Sequence, residues 1–234
     1  MTPAPATRAN VVALIPAYRE ARHIHDVASR VLQQLDHALV VDDGSPDETE
    51  AEAKRTGAEV VRHPVNRGKG AAIKTGLAEL AKRDGLEYVL LLDGDGQHAP
   101  EEIPRFLEEA NRSDSALLIG NRMSDVRTMP LVRKLTNRFM SWQISHVCGQ
   151  QIPDTQCGFR MVRGDLLAPL GEAPTARFDF ETEMLAIAAR LGHHIAAVPV
   201  STIYGDERSK IRPVRDTLRF YRLLFRLYRS MHQK

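Results

Sequence analysis

Short apolar runs alternate with segments of helical spacing along the chain, and this alternation constrains the fold more than any other feature. The predicted strands span 11–15, 38–41, 59–62, 88–92, 116–119 and 195–200. The predicted helices span 20–35, 46–56, 70–83, 100–111, 130–148, 180–191 and 213–231, and 150–163 is typical of a loop. Strands separated by such helices form parallel sheets with helices on both faces. We therefore predict an α/β fold with a mostly parallel central sheet.

Polar clusters follow four of the predicted strands at the point where each strand ends. They occupy residues 16–20, 42–45, 63–69 and 93–98. In sheets of this kind, ligands bind beyond the carboxyl ends of the strands. The sequence therefore predicts one ligand site, built from these four clusters at one edge of the sheet.

The segment Asp93-Gly94-Asp95-Gly96-Gln97 is the strongest candidate for chemistry. Two carboxylates spaced two residues apart, with glycines between and after them, can converge on one cation, and the Gln97 amide oxygen can add a third ligand. Oxygen-only ligation suits Mg²⁺ or Mn²⁺. The alternative is a solvated acidic turn, since Asp-Gly pairs are common in turns.

Two further segments indicate nucleotide binding less specifically. A carboxylate in Asp42-Asp43-Gly44-Ser45 can accept hydrogen bonds from a base or a ribose, although Ser45 alone could cap the next helix. The segment 66–70 places glycines, Arg67 and Lys69 before a helix, where they could approach phosphates. It lacks the third glycine of a dinucleotide-binding loop.

The net charge of +2 conceals two oppositely charged parts. Residues 207–234 contain nine Lys or Arg and two acidic residues, a net charge of +7, so the preceding body is mildly acidic. The arginines of 212–229 recur at spacings of three and four, which predicts a basic amphipathic helix. Such a helix can bind a membrane surface, pack on the body or contact a second subunit. Nucleic acid is disfavoured because aromatic residues are poorly interleaved and the body is acidic.

Apolar run length, cysteine content and the N-terminal segment indicate where in the cell the protein is expected. The longest apolar run is far shorter than the roughly 20 residues of a membrane-spanning helix. Cys148 and Cys157 form neither a metal motif nor a disulfide framework, so reduced thiols in the cytoplasm are expected. Residues 1–10 lack an apolar signal segment and are expected to be a disordered lead.

In combination these motifs resemble glycosyltransferase family two, the inverting nucleotide-sugar enzymes with the GT-A fold. The resemblance rests on Pro-Ala-Tyr-Arg-Glu at 16–20, Val-Asp-Asp-Gly-Ser at 41–45 and Asp-Gly-Asp at 93–95, with Arg19 where Asn is frequent. The closer likeness is to dolichyl- or polyprenyl-phosphate sugar transferases, and it extends from about residue 11 to residue 212. It is carried by the segments 97–100, 120–122, 154–160, 198–200 and 209–210.

The resemblance implies a role for each matching residue on the donor side. The base and ribose would be held by Pro16, Tyr18, Glu20, Val41 and Asp43. The nucleotide and the metal would be engaged by Asp93, Gly94 and Asp95, with Gln97 as a further metal ligand. Lys210 would reach the donor diphosphate; the family's arginine before the Ser-Lys pair is absent, and Arg208 could replace it.

On the acceptor side, Arg122 and Arg133 would meet an acceptor phosphate, with Asn137 assisting, or each arginine could be a solvated surface residue. A phosphate monoester is already anionic and needs cations to hold it. A hydroxyl acceptor would need a general base instead, for which Asp154 is the first candidate, unless that carboxylate only stabilises its loop.

The sequence thus predicts a metal-dependent, inverting glycosyltransferase that moves a hexose from a nucleotide sugar, of GDP-mannose or UDP-glucose type, to a polyprenyl phosphate. Two alternatives remain open: a family-two enzyme with a hydroxyl acceptor on a glycan or small metabolite, and a catalytically silent nucleotide-sugar-binding protein. The expected organisation is a catalytic domain over 11–211 and the basic helix over 212–234. The expected location is cytoplasmic, peripheral at the membrane, with a homodimer possible.

Overall fold

The centre of the fold is one seven-stranded sheet. A computed structural model describes residues 4–124, 131–175, 179–201, 203, 224–225 and 227–229, without the side chains of 124, 132 and 133. The strands are β1 (Val11–Ala17), β2 (His37–Asp42), β3 (Glu59–Arg62), β4 (Tyr88–Leu91), β5 (Leu117–Asn121), β6 (Arg160–Arg163) and β7 (Ile195–Pro199). Their order across the sheet is β3-β2-β1-β4-β6-β5-β7. The predicted α/β class is confirmed.

Strand direction brings the polar segments to one edge. β3, β2, β1 and β4 pair in parallel, and β5 pairs in parallel with β7. β6 alone is antiparallel to its two neighbours, β4 and β5. As a result, the residues just before β6 lie at the same edge as the residues that follow the other strands.

The helices cover the sheet between strands. They are α1 (Ile24–Gln34), α2 (Thr49–Lys54), α3 (Lys69–Leu80), α4 (Ile103–Arg112), α5 (Leu131–Cys148), α6 (Leu167–Gly171) and α7 (Asp179–Arg190). Short 3₁₀ turns occupy Pro100–Glu102, Arg122–Ser124 and Gly164–Leu166. Six predicted strands and six predicted helices are present within a few residues of their expected bounds. β6 lies at the end of the stretch expected to be a loop, and the short α6 was not predicted.

Helix α3 lies unusually close to the sheet. A Cβ at Gly76 would overlap the side chain of Leu14 on β1. Leu14 and Leu77 are fully buried in the same apolar core. A larger residue at position 76 would therefore separate α3 from the strand, and with it the Lys69 end of the helix from the site edge.

The chain before β1 contacts the body. Ala6 is buried, its amide donates to the side-chain oxygen of Asn111 on α4, and its carbonyl accepts from the Asn111 amide. Ala6 therefore fixes this segment to the body, while residues 4, 5 and 7–9 around it are exposed.

The predicted C-terminal helix lies mostly outside the described residues. Residues 224–225 and 227–229 are helical, and Leu227 is buried against Val147 of α5 and Ala186 of α7. Phe225 and Tyr228 are exposed. Within the described ranges, no helix has the combination of length and apolar content that crossing a bilayer requires.

Candidate active site

The candidate site is a cluster of charged side chains at the carboxyl edge of the sheet. Its central side chain is Asp93, which follows β4. The Nζ atom of Lys69, at the start of α3, lies 2.6 Å from Asp93 Oδ1 and 3.1 Å from Glu181 Oε1 on the first turn of α7. His98 Nε2 is 3.7 Å from Asp93 Oδ2. One lysine thus joins two carboxylates that are 88 residues apart in the chain.

The charges of this cluster stabilise one another. Burial alone would raise the pKa of Asp93, but the Lys69 ammonium and His98 outweigh it and hold this pKa well below the usual range. Burial would lower the pKa of Lys69, but Asp93 and Glu181 outweigh it and raise this pKa above the ordinary value. Both groups are therefore charged at neutral pH.

Asp95 and Gln97 form a tight turn beyond Asp93. The Asp95 Oδ1 atom accepts a hydrogen bond of 3.0 Å from the Gln97 amide. Gly94 is packed closely, since a Cβ there would lie 3.3 Å from the Cδ1 atom of Ile24. In the described part of the chain, no group of three or more His, Cys, Asp and Glu side chains could hold a metal by itself.

The donor set nevertheless fits a hard divalent cation. Asp93, Asp95 and Gln97 offer oxygen atoms, which Mg²⁺ and Mn²⁺ prefer. Mg²⁺ is commonly held by one or two carboxylates together with substrate phosphates and water rather than by a complete protein cage. Two carboxylates in one turn match this incomplete type of site.

Gly158 lies against the acidic cluster. A Cβ at this position would be 2.7 Å from Asp93 Oδ2 and 3.3 Å from Glu181 Oε1. Gly158 belongs to the segment that enters antiparallel β6. The absence of a side chain at position 158 therefore lets this segment pass beside the two carboxylates.

Asp43, expected to meet the base or ribose, is buried behind the loop 63–69. Its carboxylate accepts from the amides of Arg67 and Gly68 at 2.9 and 2.7 Å, and it lies 2.7 Å from His63 Nδ1. The neighbouring Gly44 has a φ of 72°, and a Cβ there would be 2.6 Å from the carbonyl carbon of Val65. The carboxylate thus fixes the loop that leads to Lys69.

The remaining expected donor contacts lie at the ends of β1 and β2. Pro16 pairs with Val41 across these strands. Glu20 is mostly buried, its amide donates to Thr49 Oγ1 at 2.9 Å, and its carboxylate is 3.3 Å from His23 Nδ1.

The segment between Pro16 and Glu20 turns sharply. Arg19 has a φ of 59°, its amide donates to Ser45 Oγ, and its guanidinium lies 5.4 Å from the centre of the Tyr18 ring. Asn tolerates this left-handed backbone better than most residues, which gives a physical reason for Asn at the same place in the family pattern.

Arg122 and Asp154 form the second polar centre of the edge. Arg122 Nε and Nη2 donate to the two Asp154 oxygens at 2.8 and 2.9 Å. The amides of Arg122 and Gln156 donate to the same carboxylate at 3.2 and 3.1 Å. The Asp154 side chain is fully buried, whereas Arg122 is 17% exposed.

Other expected acceptor and donor residues are placed only in part. Asn137 is buried on α5. Arg133 lies on α5, but its side chain, like all of Lys210 and Arg208, falls outside the described residues.

Cys148 and Cys157 are buried free thiols, and burial raises the pKa of each to about 12, so both are protonated at neutral pH.

Three residues of the central cluster were missed as site residues. The sequence predicted only that Lys69 could approach phosphates, and it included His98 only as the last residue of the polar cluster 93–98. Glu181 carried no signal at all, because it occupies an ordinary helical position and reaches Lys69 only through the fold.

The carboxyl edge of the sheet carries paired Asp residues, a half-buried Lys and an Arg-Asp pair, which agrees with the GT-A fold expected from the sequence. The sequence profile of Glycosyl transferase family 2 matches residues 12–171. The chain belongs to this family and is an enzyme of the glycosyltransferase class.

Its relatives include lipid-phosphate glycosyltransferases. The UDP-N-acetylglucosamine–dolichyl-phosphate N-acetylglucosaminyltransferase of Methanococcus voltae is 30% identical, over 82% of this chain and 85% of that protein. The undecaprenyl-phosphate mannosyltransferase of Micrococcus luteus is also 30% identical, over 82% and 83%.

Solved structures share the fold. Glucosyl-3-phosphoglycerate synthase from Mycobacterium tuberculosis, in complex with UDP, superposes with a TM-score of 0.70 over 95% of this chain and 79% of that one, at 22% identity. The same synthase with Mn²⁺ and UDP-glucose gives a TM-score of 0.66, over 95% and 78%, at 21% identity. At these identities the likeness concerns the fold.

Proposed function

We propose that this protein transfers a hexose, with inversion, from a nucleotide sugar to a polyprenyl phosphate. The observation that carries the proposal is the burial and hydrogen bonding of the Asp154 carboxylate. This carboxylate is fully buried and accepts four hydrogen bonds, two from the Arg122 guanidinium and one each from the amides of Arg122 and Gln156. A general base needs an accessible lone pair within reach of the acceptor proton. Asp154 therefore suits the task of fixing Arg122 for an anionic acceptor better than that of deprotonating a hydroxyl.

A phosphate acceptor requires no base. An oxygen of the acceptor phosphate attacks the anomeric carbon of the sugar from the face opposite the leaving group. The bond between this carbon and the diphosphate oxygen breaks, and the nucleoside diphosphate leaves with the electron pair. One in-line displacement inverts the anomeric configuration. No proton has to be removed from the acceptor, so the protein's part is to position and neutralise two anions.

The chain's own charged groups divide these tasks. Lys69, fixed between Asp93 and Glu181, brings a cation to the edge where the donor would bind. Arg122 brings a guanidinium, which is suited to phosphate, to the acceptor side. Asp43 acts on the donor side by holding the loop that ends at Lys69.

A divalent cation, Mg²⁺ or Mn²⁺, is part of the proposal. Asp93, Asp95 and Gln97 would hold it, and it would neutralise the charge that develops on the leaving diphosphate. The Mn²⁺ and UDP-glucose bound by the Mycobacterium tuberculosis synthase support this assignment by analogy of fold.

The proposed place of action is the cytoplasmic face of a membrane, reached peripherally. Two buried free thiols are consistent with a reducing compartment. The basic helix expected over 212–234 would contribute to membrane contact, and its described part also packs on the body through Leu227.

A radiolabel assay tests the function. The full chain is incubated with Mn²⁺ or Mg²⁺, a panel of labelled nucleotide sugars, and either polyprenyl phosphate or glycan and small-metabolite acceptors. We expect label in the lipid fraction with at least one donor, dependent on the divalent cation. Label only in glycan or small-metabolite products would support the hydroxyl-acceptor alternative. No lipid-linked product with any donor would refute the proposal.

A further inference from the structure

The outer face of α5 carries a continuous apolar stripe. Leu131, Leu135, Phe139 and Trp142 are all exposed, with Leu131 at 69% and Trp142 at 66%. Spacings of four, four and three place them within about 80° of arc on one side of the helix. The rings of Phe139 and Trp142 stack with centroids 6.3 Å apart. We call these four residues the α5 stripe.

The exposed apolar surface of the described chain is concentrated here. Of its nine exposed large apolar side chains, four form the α5 stripe and two more, Phe225 and Tyr228, lie beside it. A groove of about 380 Å³ runs between Trp142 and these two residues. Isolated exposed apolar residues need no explanation, but a contiguous patch marks an interaction surface.

The charges that flank the stripe are of one sign. Lys134 and Arg138 lie beside it on α5, and no acidic residue occurs anywhere in 131–148. Arg229 lies 5.8 Å from the centre of the Phe225 ring on the other side of the groove. Aromatic and aliphatic residues flanked by Lys and Arg are typical of helices that lie in the surface of an anionic bilayer.

The same charges disfavour a second copy as the occupant. A two-fold dimer would place the α5 stripe of one chain against that of the other. Lys134 and Arg138 would then face their own copies without an acidic partner from α5. An anionic lipid surface satisfies both the apolar stripe and its basic borders.

The inner face of α5 connects this surface to the acceptor side of the site. Ser141 Oγ accepts from the Thr155 amide at 3.0 Å, and Ser145 Oγ accepts from the Ile152 amide at 2.9 Å. These two bonds bracket Asp154, which holds Arg122. One helix therefore joins the apolar surface to the Arg122-Asp154 pair.

We propose that the α5 stripe, together with Phe225 and Tyr228, docks the enzyme on the headgroup region of an anionic bilayer. Docked in this way, the outer face of α5 enters the lipid surface while its inner face presents the loop of Asp154 close to that surface. The proposal rests on the proposed function for its purpose, but the binding itself requires neither donor nor acceptor.

The single tryptophan of the chain makes the test direct. The full protein is mixed with vesicles of phosphatidylcholine, with or without phosphatidylglycerol and containing no polyprenyl phosphate. We expect Trp142 emission to shift to the blue and to be quenched by brominated lipid only with phosphatidylglycerol vesicles. Added salt should weaken the binding.

Paired variants locate the surface. Leu131→Ser combined with Leu135→Ser keeps the tryptophan reporter and should weaken vesicle binding by about tenfold or more. Leu191→Ser removes an exposed leucine after α7 and should bind vesicles as the wild type does. The double variant should retain turnover with detergent-dispersed acceptor, which separates this proposal from failure of the proposed function.

Three results would overturn the proposal. Trp142 emission that is unchanged by either vesicle would exclude docking through α5. Wild-type vesicle binding by the double variant, lost only on truncation after Ile211, would assign the membrane contact to the C-terminal segment alone. A blue-shifted emission without lipid, with the mass of two chains in solution, would show that a second copy covers the stripe.

Discussion

Arg122 and Asp154 form a two-pronged ion pair in which Nε and Nη2 of the guanidinium donate to separate carboxylate oxygens at 2.8 and 2.9 Å. The pair joins the end of β5 to the loop before β6, across 32 residues of chain. Such planar, bidentate geometry fixes the orientation of an arginine more firmly than a single contact does. Asp154 is therefore assigned a positioning role in the proposed reaction.

Replacement of Asp154 separates positioning from base catalysis. In Asp154→Asn, Arg122 loses its charged partner, while the asparagine at position 154 has nearly the same shape as the aspartate. We expect the KM for polyprenyl phosphate to rise by about tenfold, with a smaller change in kcat, because the defect concerns acceptor binding. Steady-state kinetics with each substrate varied in turn measures this. A collapse of kcat with unchanged acceptor KM would identify Asp154 as the base of a hydroxyl-acceptor enzyme.

A double-mutant cycle supplies the control for folding. Loss of either partner leaves the other charge without its ion pair, so Asp154→Asn and Arg122→Gln should each lower the free energy of unfolding by about 2–3 kcal/mol. The combined variant should lose clearly less than the sum of the two single changes. Additive losses in urea unfolding would mean that the two side chains do not stabilise each other.

Asp95 tests the metal assignment with little expected effect on the fold. Its side chain lies in a turn beyond β4 and accepts from the Gln97 amide. We expect Asp95→Ala to lower turnover by at least about 100-fold, since the diphosphate would leave without its cation. The melting temperature should change little. Glu172→Ala, an exposed carboxylate outside the site, is the matched control, and wild-type turnover in Asp95→Ala would refute the metal role.

The sheet was largely predictable because six of its strands are apolar runs that end at polar residues. β6 was missed because it begins and ends with arginine, which is unusual for a buried strand. Arg160 is nevertheless fully buried. Its guanidinium donates to the carbonyls of Thr155 and Cys157 at 3.0 and 2.8 Å, and also to that of Glu181. These backbone partners depend on tertiary structure and leave no local pattern.

The candidate site was predictable where it follows strands and unpredictable where helices complete it. Asp93 and Asp95 stand at the end of the most apolar strand, so their place at the edge follows from parallel topology. The Lys69 contacts to Asp93 and Glu181 depend on how α3 and α7, which are far apart in the chain, pack beside each other at the edge. Asp43 shows a related limit, since its loop contacts with Arg67 and Gly68 are invisible in the sequence.

Even the addition of a single methyl group at position 158 is expected to lower activity. A Cβ there would be 2.7 Å from Asp93 Oδ2, so the carboxylate would have to move. We expect Gly158→Ala to fold but to lose about tenfold or more in turnover and to need more Mn²⁺ for half-maximal rate. The matched control is Gly171→Ala, where a Cβ meets nothing within 4 Å. Equal Mn²⁺ dependence in both variants would contradict the assigned place of Asp93.

Replacement of Lys69 is predicted to cost an amount of stability that depends on pH. In the wild type, Lys69 and His98 hold the pKa of Asp93 below its value in the unfolded chain. This contribution to stability is complete above the unfolded pKa of about 4 and is lost only as the pH falls towards the folded pKa. Lowering the pH from about 7.5 to about 5.5 should therefore not remove the stabilisation that Asp93 contributes.

In Lys69→Met, the carboxylates of Asp93 and Glu181 lose the cation between them, and burial raises the pKa of Asp93. The folded variant then binds more protons than its unfolded chain, so its stability increases as the pH falls. At about pH 7.5 we expect a loss of about 2–3 kcal/mol relative to the wild type, and a smaller loss at about pH 5.5. Thermal unfolding in a chelator, at both pH values, measures the difference.

The control is Lys82→Met, which removes an exposed lysine paired only with Glu79 among the ion pairs described. It should have a small effect on stability at both pH values. A loss for Lys69→Met that is equal at both pH values would mean that this lysine does not control the charge of the carboxylates.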